Sequence, residues 1–254
     1  MQLRRSAIDR RQDPDPALSA AFAEALGHLW PEGGRLGLAV SGGPDSLALL
    51  LLAAARPGLD IEAATVDHGL RPQSGAEAAL VARLCEELGV RHAILPVRLE
   101  MTGNLQAMAR SARYAALASW MAARGLDALA TAHHVEDQAE TLIMRLNRAS
   151  GLGGLAGIRS RTSLPDGSGL LLRPLLAMRR DALRGIVEAA GLVAVDDPSN
   201  RAERFDRARI RRALAGADWL DPAALAASSS HLADADEALD WAAGMAWERL
   251  VTES

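Results

Sequence analysis

A doubly wound, mainly parallel α/β fold with a helical C-terminal extension is the class this sequence predicts, and three observations predict it. Short apolar runs alternate with longer helical stretches from Arg35 to Arg148, the pattern of strands joined by crossover helices. Leu36-Gly-Leu-Ala-Val40 passes through Ser41-Gly-Gly-Pro-Asp-Ser46 straight into a helix. Three polar motifs, Ser41–Ser46, Asp67–Arg71 and Thr131–Glu140, each follow a strand's carboxyl end, where ligands bind in such sheets.

The elements follow in order. Residues 1 to about 16 are polar and proline-containing and read as a flexible lead-in; Asp15-Pro16 then opens an amphipathic helix, Ala17–Leu29. Strand Leu36–Val40 precedes a helix beginning near Leu47 and reaching Ala55. Strand Ile61–Val66 leads through Asp67–Arg71 to a helix over Gly75–Leu88, and Ser74 with Glu77 has capping-box spacing. Strand His92–Pro96 precedes a long helix, Leu105–Ala123, capped by Asn104. Strand Ala128–Thr131 feeds a helix from about Asp137 to Arg148. Ser150–Gly157 is too glycine-rich for a helix interior and reads as a lid, a substrate-contacting loop or a plain connector. A strand, Leu170–Arg173, a helix, Asp181–Ala190, and a turn, Asp197-Pro-Ser-Asn200, come next. An arginine-rich helix spans about Arg204–Leu214, and Asp221-Pro222 caps a last helix reaching about Arg249.

Composition narrows the function. The 254 residues suffice for one α/β domain and a small appendage. No apolar run reaches the length of a membrane span, and the N-terminus lacks the apolar core of a secretory signal, so the expected location is the cytoplasm. The single cysteine, Cys85, excludes a disulfide framework and falls in a helical apolar stretch, as a packed thiol would. The net charge is −4, but Arg201–Arg212 holds six arginines against Glu203 and Asp206, a basic segment able to meet RNA.

Backbone N–H groups of a glycine turn and a helix's first turn form an anion site, so Ser41, Gly42, Gly43, Pro44, Asp45 and Ser46 are read as a phosphate loop. A Walker loop ends in lysine; this chain contains none, all 28 of its basic side chains being arginine. Asp45 beside phosphates calls for an intervening cation, Mg²⁺. The bland alternative is an ordinary strand-to-helix turn. Asp67, His68 and Arg71 stand where a nucleoside would lie, or simply tie down their loop. Asp137 and Glu140 share a helix face with Glu136 beside it, suiting a divalent metal, an amine, or only a solvated helix start. His133 and His134 lack zinc-site spacing and fit phosphate contact or helix entry better. Arg110 and Arg113, next to Tyr114, match phosphate or carboxylate geometry, with surface solvation as the alternative.

These motifs together resemble the tRNA(Ile)-lysidine synthetases, a branch of the N-type ATP pyrophosphatases with an adenine nucleotide α-hydrolase-like, Rossmann-like domain. The loop Ser41–Ser46 is shared across the superfamily. More specific are Val66–Arg71, Ala109–Tyr114, Ala132–Thr141, Arg173–Leu176, Asp197–Asn200 and Arg207–Arg211, whose order and spacing match over about residues 35 to 215. Two departures stand out: Glu136 replaces the usual aspartate, and Ala149 replaces the usual glycine after Arg148. The resemblance implies a tail and helix over 1–34, a catalytic domain over 35–215 and a helical extension over 216–254. Many members continue into further tRNA-binding domains.

The implied activity uses ATP and Mg²⁺ on the wobble cytidine of a tRNA(Ile) with a CAU anticodon. The base's 2-carbonyl oxygen attacks the α-phosphorus, releasing pyrophosphate; the ε-amine of L-lysine then displaces AMP. On this reading Ser41–Ser46, Asp67, His68 and His133 bind nucleotide, and Asp45 and Asp137 are metal ligands. Asp45, Arg113, Asp137 and Glu140 are catalytic, with Asp137 also a candidate base for the amine, Glu140 its holder and Arg113 a charge stabiliser or carboxylate partner. Arg207, Arg209 and Arg211 contact RNA phosphates. No membrane partner is expected, and a homodimer is left open as the assembly. The alternatives are another adenylating tRNA-modifying enzyme of thiolase type and a non-catalytic nucleotide- or RNA-binding module.

Overall fold

The structure, a computed structural model, describes residues 13–69, 74–98, 105–194 and 206–252. The expectations for residues 1–12, Arg71, Asn104, the turn Asp197–Asn200 and the start of the arginine-rich helix lie outside the described residues. The chain forms two compact units, Met1–His133 with Ser160–Asp197, and His134–Arg159 with Pro198–Ser254.

The first unit carries α1 (Pro16–Leu29), β1 (Arg35–Ala39), α2 (Pro44–Ala54), β2 (Asp60–Asp67), α3 (Ser74–Leu88), β3 (Arg91–Pro96), α4 (Leu105–Arg124) and β4 (Ala128–Ala130). In the second unit lie α5 (Val135–Leu146) and α6 (Leu152–Leu155); the chain then adds β5 (Arg161–Ser163), β6 (Leu170–Leu172) and α7 (Arg180–Ala189) to the first. The second unit ends with α8 (Asp206–Ala215) and α9 (Pro222–Thr252). None of the described helices is long and apolar enough to cross a membrane.

The sheet order is β3-β2-β1-β4-β6-β5, parallel except for the β5·β6 pair. The chain winds outward from β1 through β2 to β3, then returns to place β4 on the other side of β1. That reversal opens the crevice in which such sheets bind ligands, at the carboxyl end of β1. Both sheet faces are buried, because adjacent residues of one strand enter different clusters. Ala128 and Ala130 pack with Leu36, Leu38 and the apolar sides of α1, α2, α3 and α7. Leu129, between them, packs with Tyr114, Leu117, Trp120 and Met121 of α4. Gly37 is imposed by this second layer, since a Cβ there would lie 2.8 Å from the Trp120 ring.

Several boundaries differ from expectation for local reasons. Helix α2 starts at Pro44, not near Leu47, because Gly43 is already extended and the fixed φ of Pro44 suits a first helical position. Asp45 and Ser46 are thereby in its first turn. Ser74 is the first helical residue of α3, and its hydroxyl bonds the Asp67 carboxylate. Helix α5 begins two residues early at Val135, with His134 as N-cap. The glycine-rich stretch contains the short helix α6. Strand β5 was not expected: three residues, Arg161–Ser163, paired only at the sheet's edge, carry too little pattern to read. Helix α1, expected apart from the catalytic domain, inserts Phe22 and Leu26 into the sheet's own core.

In the second unit α5 is flanked by α8 and α9, and α6 packs on α9. Buried Gln138 bonds both backbone groups of Ile158, accepting at 2.6 Å and donating at 3.1 Å. Ser229 donates to the Leu155 carbonyl at 2.9 Å, and Arg159 ion-pairs with Asp236. The distal part of α9 exposes Trp241 and Trp247.

Candidate functional site

The loop after β1 is shaped by its own hydroxyls. Ser46, 6% exposed, accepts from the Ser41 backbone N–H at 3.1 Å and donates to the Gly43 carbonyl at 2.9 Å. A hydroxyl has one proton, so in the 3.2 Å contact between the two serine oxygens Ser41 is the donor. Ser46 therefore latches the loop's two ends, with its one proton given to the Gly43 carbonyl. Gly42 sits at φ 87°, a left-handed conformation costly for any side chain. A phosphate at this turn would meet backbone amides of the turn and of α2's first turn, which have no helical acceptor. Asp45 lies half-buried beside them.

A clamp that the sequence reading missed fixes the entry to this loop. Val40 N–H donates to the Ala64 carbonyl at 2.9 Å. The Thr65 hydroxyl donates to the Val40 carbonyl at 2.7 Å, and His92 Nε2 lies 2.9 Å from the same hydroxyl. Having given its proton to Val40, Thr65 must accept from His92, which fixes the imidazole as the Nε2–H form. Burial lowers the pKa of His92. A lone Thr and His on different strands leave no mark in sequence.

The other residues at the strands' carboxyl ends differ in what holds them. Asp67 accepts from Gly69 N–H at 2.9 Å; the Ser74 hydroxyl and this amide hold its carboxyl below the ordinary value. Its visible work is loop closure. His68 is half-buried, and burial followed by the Arg113 charge keeps its pKa low. His133 Nδ1 lies 3.0 Å from the Thr131 hydroxyl after β4.

Arg110 and Arg113 stand over the Tyr114 ring at 5.1 and 5.5 Å. Arg173, immediately after β6, is 6% exposed and lies close enough to Tyr114 for its charge to be felt by the phenol. Burial lowers the pKa of Arg113 and Arg173, with the Arg110 charge acting the same way on both; guanidinium remains protonated nonetheless. Cations gathered on one buried phenol form a surface for an oxyanion. Arg173 received no individual role from sequence, although its place after a strand's carboxyl end was the available signal. Cys85 is buried, its thiol pushed up to about 12, an inert packed group as expected.

In the second unit the carboxylates of α5 meet the arginines of α8. Arg207 donates from Nε to Glu140 Oε2 at 2.8 Å and from Nη2 to Asp137 Oδ1 at 2.7 Å. Arg211 donates from Nε to Glu140 Oε1 at 2.7 Å. Burial raises the Glu140 pKa, but the hydrogen bonds and charges of Arg211 and Arg207 outweigh it, leaving the carboxyl below its usual range. Asp137 Oδ2 accepts from the His134 N–H at 3.2 Å. Glu136, with its longer reach, sets its carboxylate 2.9 Å from His134 Nδ1. Arg207 and Arg211, expected on RNA phosphates, thus sit on the carboxylates expected to hold an amine, whereas Arg209 is exposed. Among the described residues no three His, Cys, Asp or Glu side chains gather as a ready cation site.

A family model described as a PP-loop domain matches residues 16–217. The chain is similar to a tRNA(Ile)-lysidine synthase of Novosphingobium aromaticivorans, 55% identical over 217 residues, covering 84% of this chain and 66% of that protein. It is 47% identical to one of Zymomonas mobilis subsp. mobilis, covering 83% and 65%. It is also 47% identical to one of a Methylobacterium species, covering 92% and 68%. The chain thus spans just under two thirds of the first two relatives. Among solved structures, the U34-tRNA thiolase NcsA from Methanococcus maripaludis with its [4Fe-4S] cluster shares the fold at a TM-score of 0.68 and 18% identity, covering 87% of this chain and 78% of that one. Sheet order, switch-point loop and matched domain define a PP-loop protein. More narrowly, the chain belongs to the tRNA(Ile)-lysidine synthase family.

Proposed function

We propose that this protein uses ATP to join L-lysine to the wobble cytidine of a tRNA(Ile) with a CAU anticodon, releasing AMP and pyrophosphate. The observation that carries the reading is the lysine-free amide loop at the sheet's switch point, with a carboxylate in its helix's first turn. Residues 35–215 supply the nucleotide chemistry, and 216–254 a helical extension.

The amides of residues 42–46 would hold the β- and γ-phosphates, with the Ser41–Ser46 latch keeping the turn in shape before ligand arrives. Asp45 is a hard oxygen donor in the first turn of α2 and would hold Mg²⁺, which would supply positive charge to offset the negative charge developing on phosphate. His68 and His133 flank the nucleotide from the ends of β2 and β4. Attack by the cytidine 2-carbonyl oxygen on the α-phosphorus breaks its bond to pyrophosphate. The cations at Arg113 favour the charge that grows on the phosphorus oxygens.

In the second step the lysine ε-amine, deprotonated, attacks C2 and AMP leaves. Asp137 and Glu140 would receive the incoming ammonium, Asp137 being the candidate base. Their present engagement by Arg207 and Arg211 does not favour Asp137 as a metal ligand, and leaves Asp45 the better one. Arg209, exposed on α8, would meet RNA phosphate.

Asp45→Asn is the direct test. Exchange of labelled pyrophosphate into ATP, with tRNA present, should fall at least about 100-fold, the usual scale for loss of one electrostatic stabiliser. Turnover within threefold of wild type would remove Asp45 from the mechanism.

A further inference from the structure

The carboxylates assigned to the substrate amine already carry cations from the chain itself. Arg207 bridges them, reaching Asp137 Oδ1 at 2.7 Å and Glu140 Oε2 at 2.8 Å. Arg211 closes on Glu140 from two nitrogens, at 2.7 and 3.1 Å. The remaining Asp137 oxygen accepts from the His134 backbone. All four carboxylate oxygens are therefore engaged, and the Glu140 side chain is only 2% exposed.

An alkylammonium needs the same oxygens. It is a compact cation with three donors, and two carboxylates bridged by it would look, charge for charge, like the pair bridged by Arg207. Adding it without moving an arginine would crowd three cations onto two anions. Amine and guanidinium therefore exclude one another.

An anion can decide between them. Guanidinium binds phosphate with the same paired N–H geometry it uses for carboxylate. The Arg207 and Arg211 side chains are 40% and 35% exposed, so a polyanion reaches them from solvent. Arg209 and Arg212 on the same helix are exposed as well and add to its pull.

We propose that Arg207 and Arg211 act as a built-in competitor for the amine substrate, and that RNA phosphates draw them off the Asp137–Glu140 pair to admit it. The inference rests on the reading that these two carboxylates receive the amine. It makes lysine entry conditional on RNA and assigns α8 a specificity role beyond affinity: without RNA, the amine pocket is filled by a mimic. A purely structural role for the ion pairs would instead make lysine binding indifferent to RNA.

The test is calorimetric titration of L-lysine into the full chain, with and without a CAU-anticodon tRNA transcript. In the wild type RNA should tighten lysine binding at least tenfold. Arg207→Gln leaves Arg211 on Glu140 but releases Asp137 Oδ1; it should tighten RNA-free binding about tenfold and shrink the RNA effect to under threefold. Arg207→Lys keeps the charge without the fork and should fall between. Unchanged or weaker lysine binding by a folded Arg207→Gln protein would overturn the competition.

A second measurement does not depend on any substitution. The Nε–H signals of Arg207 and Arg211, sheltered by Glu140, should lose their protection from solvent exchange when wild-type protein is saturated with L-lysine. Their persistence would also overturn the proposal. Asp137→Asn with RNA present separates the two layers. If it fails to weaken lysine at least tenfold, the amine assignment falls and the competition with it. If it weakens lysine while Arg207→Gln changes nothing, the competition alone falls.

Discussion

Two carboxylates in this protein are almost equally buried and both are clasped by arginines, yet their partners are held in different ways. Glu62, on β2, takes Arg35 at 2.7 Å, Arg91 at 3.0 Å and Arg124 at 2.7 Å. Glu140, on α5, takes Arg207 and Arg211. The partners of Glu62 come from β1, β3 and the end of α4, elements the sheet already fixes, and they gather toward the strands' amino ends. Those of Glu140 come from one short helix. A buried ion pair does not by itself announce function. What distinguishes the two is redundancy of partners and, on the proposal above, release of the clasping side chains by RNA.

The largest expected effect breaks the less redundant cluster. Replacing Arg207 and Arg211 together by alanine removes both of these cations from buried Glu140, and unfolding of the second unit in urea should become easier by about 3–5 kcal/mol at pH 7. Little change would mean that Glu140 takes up a proton or finds another partner. Next comes Glu62→Gln, which leaves three arginines that are 34–61% exposed and able to rehydrate. A loss of about 1–3 kcal/mol follows from the charge-assisted bonds removed, with pyrophosphate exchange per folded molecule unchanged. Selective loss of exchange would make Glu62 functional after all. Arg91→Ala, with two arginines still in place, should cost less than about 1 kcal/mol.

Acid tests the Glu140 cluster directly. The Glu140 carboxyl is held below its ordinary value of 4.5, so its stabilisation is present above that pH and is lost as pH falls through the depressed folded value. A thermal scan against pH should show this acid loss in the wild type and a flatter curve for Glu140→Gln. Equal curves would contradict the linkage.

The smallest effect has the opposite sign. Ala149, just beyond the helix that carries Glu140, sits at φ 50°. This left-handed conformation costs an alanine more than a glycine, by an amount partly offset by glycine's larger unfolded-state entropy. Ala149→Gly should raise stability by about 0.5 kcal/mol.

The same pair of clusters shows what the sequence could reveal. Alternating runs and a glycine loop after a strand exposed the sheet and its switch point, because those patterns are local. Asp137 and Glu140 were legible for the same reason: i, i+3 spacing on one helix. Their partners were legible only as charge. Nothing local says that Arg207 turns inward to a residue 70 positions earlier while Arg209 faces water. Glu62 carries no local signal, since its arginines are brought together only by sheet register. Thr65 and His92 escaped for that reason too. The Ser46 latch was hidden because a hydroxyl's donor capacity depends on which carbonyl the turn presents to it.

One measurement bears most directly on the central claim, that the loop at residues 41–46 prepares ATP for transfer of its α-phosphorus. Protein, ATP, labelled L-lysine and a CAU-anticodon tRNA transcript are incubated together and the products separated. Label should enter the RNA, with AMP and pyrophosphate formed in equal amounts and no label incorporated when the anticodon cytidine is replaced. Formation of ADP and orthophosphate, or RNA that stays unlabelled while ATP is consumed, would contradict it.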